Sequence, residues 1–93
     1  MSTPKVVIYT TAFCPYCVWA RRLLDDKNVE YEDIRVDQFP ERRPEMESRS
    51  KRTSVPQIFI GELHIGGFDD MSALDNAGRL DPILSGEVTS FTD

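Results

Sequence analysis

The sequence predicts an α/β fold in which a four-stranded mixed sheet is flanked by helices, in the order βαβαββα. Short runs rich in β-branched and aromatic residues, such as Val6–Tyr9 and Val55–Ile60, alternate with stretches whose apolar residues recur at helical spacing. The first strand, helix and second strand have the order of a parallel crossover unit. Near the other end, Ile60-Gly61-Glu62-Leu63 places Gly at the first central position of a two-residue loop, the type II′ hairpin signature, so the last two strands return antiparallel.

Each element has its own signal. Lys5 to Thr10 is too apolar for simple alternation and reads as a strand covered on both faces. From Pro15 to about Lys27, Cys17, Ala20 and Leu24 share one helix face, while Arg21, Arg22, Asp25 and Asp26 fall elsewhere. Pro15 belongs in the first turn, where a missing N–H costs nothing, and Asn28 ends the helix. Glu30 to Asp37 alternates as a second strand. Phe39 to Lys51 is expected to be helical downstream of Pro40 and Pro44, with Met46 as its apolar anchor. Val55 to Ile60 is a third strand that begins at a proline, where a ladder donor can be lost, and Leu63 to Ile65 is the fourth. Phe68 to Gly78 has Asp69 and Asp70 in its first turn and Met71, Leu74 and Ala77 at helical spacing. A short turn near Asp81 to Leu84 follows, and Ser85 to Asp93 reads as a flexible polar tail. The whole arrangement resembles the thioredoxin-like fold, with residues 1–93 as a single domain.

Composition bounds the function. At 93 residues the chain can bury only roughly 60 to 65% of its unfolded surface, enough for one modest core. A net charge of -5 argues against a nucleic-acid binder, which needs a basic face. No apolar run is long enough for a bilayer or placed as a signal region, so no membrane partner and a cytoplasmic location are expected. Arg42, Arg43, Arg49, Lys51 and Arg52 outnumber Glu45 and Glu47 locally; they read as a solvated helix face, one or two of which can meet a small anion.

Chemistry concentrates at Phe13-Cys14-Pro15-Tyr16-Cys17, which holds both cysteines of the chain at the junction of first strand and first helix. A CxxC in that position is a thiol-disulfide motif. Free N–H groups at the helix start favour a thiolate at Cys14, making it the expected nucleophile, while Cys17 on the inward face is placed to resolve a mixed disulfide. Zinc is disfavoured because a structural site takes four ligands and the pair has only His64 to join it. His64 is expected on an edge strand without a catalytic task; Trp19 and Tyr31 read as packing or surface residues. Tyr16, between the cysteines, cannot avoid the reactive surface. Ser54-Val55-Pro56 precedes a strand where a cis proline would present the Val55 backbone to an extended substrate. Gly66-Gly67 before Asp69-Asp70 offers backbone donors for a carboxylate and acids for an ammonium group, although a plain turn and simple capping explain the same residues.

Together these blocks resemble the dithiol glutaredoxins from about Lys5 to Leu84: Cys14-Pro15-Tyr16-Cys17, Ser54-Val55-Pro56-Gln57-Ile58-Phe59-Ile60 and Ile65-Gly66-Gly67-Phe68-Asp69-Asp70. The resemblance implies reduction of protein–glutathione mixed disulfides and protein disulfides, with glutathione as reducing co-substrate and no tightly bound cofactor or metal. It assigns Cys14 and Cys17 as catalytic. Thr11, Tyr16, Ser54, Val55, Pro56, Gly67, Phe68, Asp69 and Asp70 are assigned to glutathione, with Arg43 near its glycyl carboxylate. One departure stands out, because Thr11 occupies the position where many members carry a lysine; Arg43 or Arg42 is expected to compensate in binding. Partners implied are glutathione and glutathionylated or disulfide-containing proteins, ribonucleotide reductase among those the family offers, acting on a monomer. Two alternatives share the fold: a redoxin fed by thioredoxin reductase, and an iron–sulfur carrier formed as a glutathione-bridged dimer. Pro15 speaks against the carrier, because cluster-binding members usually have a small residue after the nucleophile.

Overall fold

Residues Val6–Thr10 form β1, and every one of them is buried. Their side chains divide between two cores: Val6 and Ile8 face one, Val7 and Tyr9 the other. That division explains why the run lacks simple alternation. A computed structural model describes residues 4–88.

The remaining elements are α1 (Pro15–Asp26), β2 (Glu32–Arg35), a 3-10 turn (Pro40–Arg42) leading into α2 (Arg43–Ser50), β3 (Gln57–Ile60), β4 (Leu63–Gly66), α3 (Phe68–Asn76) and α4 (Leu80–Ser85). The sheet order is β2-β1-β3-β4; β1 and β2 are parallel, and the other two pairings are antiparallel. Ala20, Leu24, Met71, Leu80 and Ile83 pack with Ile8, Ile58 and Ile60 on one face, and Met46 of α2 packs with Tyr9, Ile34 and Phe59 on the other. Fully burying each large aliphatic side chain contributes about 1.5–3 kcal/mol, so these two layers hold the helices on the sheet.

The predicted order is found with shifted limits. Most elements are shorter, but β4 extends to Gly66 and the last turn is a helix from Leu80 to Ser85. The second helix, α2, starts at Arg43 with Pro44 in its first turn, where the missing N–H costs nothing. β2 begins at Glu32 rather than Glu30, as an edge strand paired only to β1, and β3 begins at Gln57, after Pro56. The hairpin loop has Gly61 at φ +60 while Glu62 keeps a negative φ, the type II′ pattern that the sequence implies. Asn28 turns the chain away from α1 at φ +57. Of the expected tail, Ser85 closes α4, Gly86 caps it at φ +90, the Glu87 N–H donates back to the Pro82 carbonyl and Val88 packs against the core; residues 89–93 lie outside those described.

The cations around α2 differ from a simple solvated face. Arg42 makes two hydrogen bonds to Glu45, both 3.0 Å long. Arg49 donates to the Tyr9 hydroxyl at 2.9 Å and lies 4.2 Å above the Phe59 ring. The Tyr9 hydroxyl in turn donates to Glu45. These bonds tie α2 to β1, a task that the local sequence does not announce.

Candidate active site

Strand register assembles the site. Tyr9 pairs with Gln57, so one step further along, Thr10 and the loop after it come beside Pro56 and Val55. Ile58 pairs with Gly66, which puts the start of α3 at the same end of the sheet. The end of β2 arrives there too, because it runs parallel to β1. Four chain ends therefore converge on the cysteine loop.

Cys14 is the N-cap of α1, with extended backbone (φ -135, ψ 104), and Cys17 N–H donates to its Sγ at 3.1 Å. An N–H aimed at sulfur is a ready donor for a thiolate. Cys14 is partly exposed, whereas Cys17 is 0% exposed, and neither is in a disulfide. Burial pushes the Cys17 thiol up to about 12; the hydrogen bond with the Cys14 thiol adds to this, and the Thr11 backbone and the Arg21 charge oppose it. The two sulfurs are thus unequal: one reachable, the other buried and held as a thiol.

Beside them, the Val55–Pro56 bond is cis and the Val55 carbonyl lies 3.9 Å from Cys14 Sγ. A pocket of about 220 Å³ opens here, lined by Tyr16, Ser54, Val55, Pro56, Gly67, Phe68, Asp69 and Asp70, together with Arg52 and Gln57. At its α3 end, Asp70 accepts the Gly67 N–H at 3.0 Å and Arg52 at 3.2 Å. The Gly67 hydrogen bond first, and then Arg52, hold the Asp70 carboxyl below its ordinary value. Gly66 sits at φ +113, and a Cβ there would stand 2.3 Å from the Asp70 carboxylate, so only glycine leaves room for this arrangement.

The residues expected to bind glutathione line this pocket except two, Thr11 and Arg43, and the two cysteines also stand outside its lining, Cys14 next to Val55. Thr11 lies in the loop before Cys14, where its backbone opposes the rise of the Cys17 thiol. Arg43 is anchored on the Thr53 carbonyl at 3.0 Å, next to Ser54. Three further residues are part of the arrangement without having been assigned to the site. Arg52 enters through its ion pair with Asp70. Gln57 donates to the Ser54 carbonyl at 2.9 Å, with His64 2.7 Å away on its other side. Asp37, gripped by Arg35 at 2.8 and 2.7 Å, accepts the Ala12 N–H at 3.1 Å and so fixes the cysteine loop. The sequence signals for them are the place of Arg52 in the local group of cations, one or two of which are expected to meet a small anion, and Gln57 as a polar residue inside an apolar strand; Asp37 has none. Among the described residues, no cluster of three or more His, Cys, Asp or Glu is placed to hold a metal, and no helix is long and apolar enough to cross a membrane.

A reachable sulfur capping a helix, a buried partner one turn on and a backbone carbonyl beside them define a thiol-disulfide oxidoreductase on a thioredoxin-like fold. Comparison with known proteins narrows the class. The glutaredoxin family model matches residues 6–65, and the chain belongs to the glutaredoxin family. It is 54% identical over 82 residues to a glutaredoxin of Pseudomonas aeruginosa, covering 88% of this chain and 98% of that one. Among solved structures, the glutaredoxin of Brucella melitensis superposes with a TM-score of 0.82 at 44% identity, covering 97% and 98% of the two chains. A buckwheat glutaredoxin–glutathione complex gives 0.81 at 29% identity, covering 90% and 78%.

Proposed function

We propose that the chain reduces protein–glutathione mixed disulfides and protein disulfides with glutathione as electron donor, through Cys14 as nucleophile and Cys17 as resolving thiol. The observation that carries this is the inequality of the sulfurs beside a peptide-sized pocket: Cys14 caps α1 within 3.9 Å of the Val55 carbonyl, and Cys17 is buried behind it. An extended peptide bonded to Cys14 pairs its backbone with Val55 in the manner of an added strand. At the far end, the Arg52–Asp70 pair presents opposite charges to the ammonium and carboxylate of an amino-acid terminus, which glutathione carries on its γ-glutamyl residue. The relation to a buckwheat glutaredoxin solved with glutathione supports the same ligand.

For a mixed disulfide, Cys14 thiolate attacks the glutathione sulfur. A Cys14–glutathione bond forms, and the protein thiolate leaves and takes up a proton. A second glutathione thiolate attacks that bond, giving glutathione disulfide and restoring Cys14, so one free glutathione is consumed per mixed disulfide, its sulfur being oxidised as the protein's sulfur is reduced. For a protein disulfide, Cys17 attacks the Cys14–protein bond and expels the second protein thiol. The resulting Cys14–Cys17 disulfide is reduced by two glutathiones. Once Cys14 is bonded to substrate, its thiol no longer raises Cys17, which eases loss of the Cys17 proton when that sulfur must act.

The test is turnover with glutathione and glutathione reductase. Cys17→Ser should retain reduction of a glutathionylated protein and lose that of a protein disulfide, and Cys14→Ser should lose both. Activity remaining in Cys14→Ser would overturn the assignment, and reduction by thioredoxin reductase alone would replace glutathione as donor.

A further inference from the structure

Among the described residues, the large apolar side chains left exposed are Phe13, Tyr16, Val18, Trp19 and Phe39, and all but Phe39 flank the cysteines. Such clustering marks an interaction surface rather than scattered apolar exposure. The rings are also organised. Tyr16 meets Trp19 edge-on at 5.2 Å, Phe68 lies 6.4 Å from Tyr16 and 5.8 Å from Trp19, and Trp19 is 45% exposed. Tyr16 and Phe68 line the pocket, whereas Trp19 extends the aromatic wall beyond it.

Because Cys17 is 0% exposed, a disulfide substrate must bring its sulfur to Cys14, and its flanking residues then rest on what surrounds Cys14. We propose that Tyr16, Trp19 and Phe68 form a docking face for the polypeptide bearing a substrate disulfide, with Trp19 selecting partners that carry a large apolar side chain within two residues of the reacting cysteine. In extended backbone, residues advance about 3.3 Å each, so a side chain one or two positions along reaches the span of these rings. The exchange is the ordinary one: Cys14 bonds to the nearer sulfur, the substrate disulfide breaks, and the leaving thiolate takes a solvent proton. The proposal rests on Cys14 as the attacking sulfur, which is read separately by reduction of bis(2-hydroxyethyl) disulfide and its loss in Cys14→Ser.

The experiment uses disulfide-linked peptide dimers that differ only in the residue after cysteine, Phe, Ser or Lys, with glutathione as reductant. The Phe peptide should show kcat/KM about tenfold above the Ser peptide, the scale of an apolar pocket's discrimination. Trp19→Ala should bring that ratio to about one, and Trp19→Phe, which keeps a ring, should preserve most of it. Trp19 is the sole tryptophan, so its emission should shift to the blue when the Phe peptide is trapped on Cys14 in Cys17→Ser, and not with the Ser peptide. A ratio unmoved by Trp19→Ala would overturn the proposal, as would preference for the Lys peptide, which would point to the neighbouring acids Asp69 and Asp70 instead.

Discussion

Cys17 shows how burial turns one residue into a pH-dependent support of the fold. Its folded value is raised from 9.0 to about 12, so the reduced folded state keeps a proton that the unfolded chain releases earlier. The associated stability is complete below about pH 9 and is lost as pH rises through about 12. In reduced protein, urea midpoints should therefore fall on going from pH 8 to about pH 11, and the fall should be smaller in Cys17→Ser. Equal losses in both proteins would place the alkaline sensitivity elsewhere. Arg52 supports a second expectation at this scale. If its pair with Asp70 receives the amino-acid end of glutathione, Arg52→Ala should raise KM for the glutathionylated substrate about three- to tenfold with kcat little changed. A fall in kcat at constant KM would instead place Arg52 at the reacting sulfurs.

At the scale of elements, the parts legible in the sequence are those encoded by neighbours in the chain. The face of α1 reads from Cys17, Ala20 and Leu24, and all three are buried; the hairpin reads from one glycine. β2 was harder to delimit because, as an edge strand, it keeps exposed Glu32 and Asp33, and its alternation continues past its pairing. The site's three blocks were legible as motifs, but Arg52, Asp37 and the Tyr9–Glu45–Arg49 bonds join residues far apart in the chain, and no local pattern reports them. Two substitutions probe these ties. Tyr9→Phe keeps the ring edge-on to Phe59 at 5.8 Å but removes the hydroxyl between Glu45 and Arg49. Because both partners can reach water, the loss should be at the low end for buried hydrogen bonds, about 1–2 kcal/mol by urea denaturation. Gly66→Ala acts through the turn between β4 and α3. It forces the Asp70 carboxylate off the Gly67 N–H, so weaker glutathione binding should accompany lower stability, and unchanged binding would mean that the carboxylate's position is immaterial.

Across the whole molecule, the acidic ties converge on one end. Asp37 holds the cysteine loop to the end of β2, Asp70 holds the start of α3 to the segment before β3, and Glu45 holds α2 to β1. Each carboxyl is held below its ordinary value, Asp37 chiefly by Arg35, Asp70 by the Gly67 N–H and Glu45 by Arg42. A carboxyl with a lowered folded value contributes stability that is present above the unfolded value, near pH 4, and lost as pH falls through the folded one. His64 is also lowered, mainly by burial, and acts in the same direction: the unfolded chain binds its proton first, so acid favours unfolding from about pH 6.5 downward. The melting temperature should therefore decline slightly between about pH 7 and 5 and steeply below about pH 4. Because the ties are partly exposed, 0.5 M salt should weaken them at neutral pH. The amides of Ala12 and Gly67, whose acceptors are Asp37 and Asp70, should lose hydrogen-exchange protection before those of β1, relative to their intrinsic rates. If all three segments lost protection together, the active-site end would be opening only with the entire sheet, and the carboxylates would be supporting global stability rather than the local order of the site.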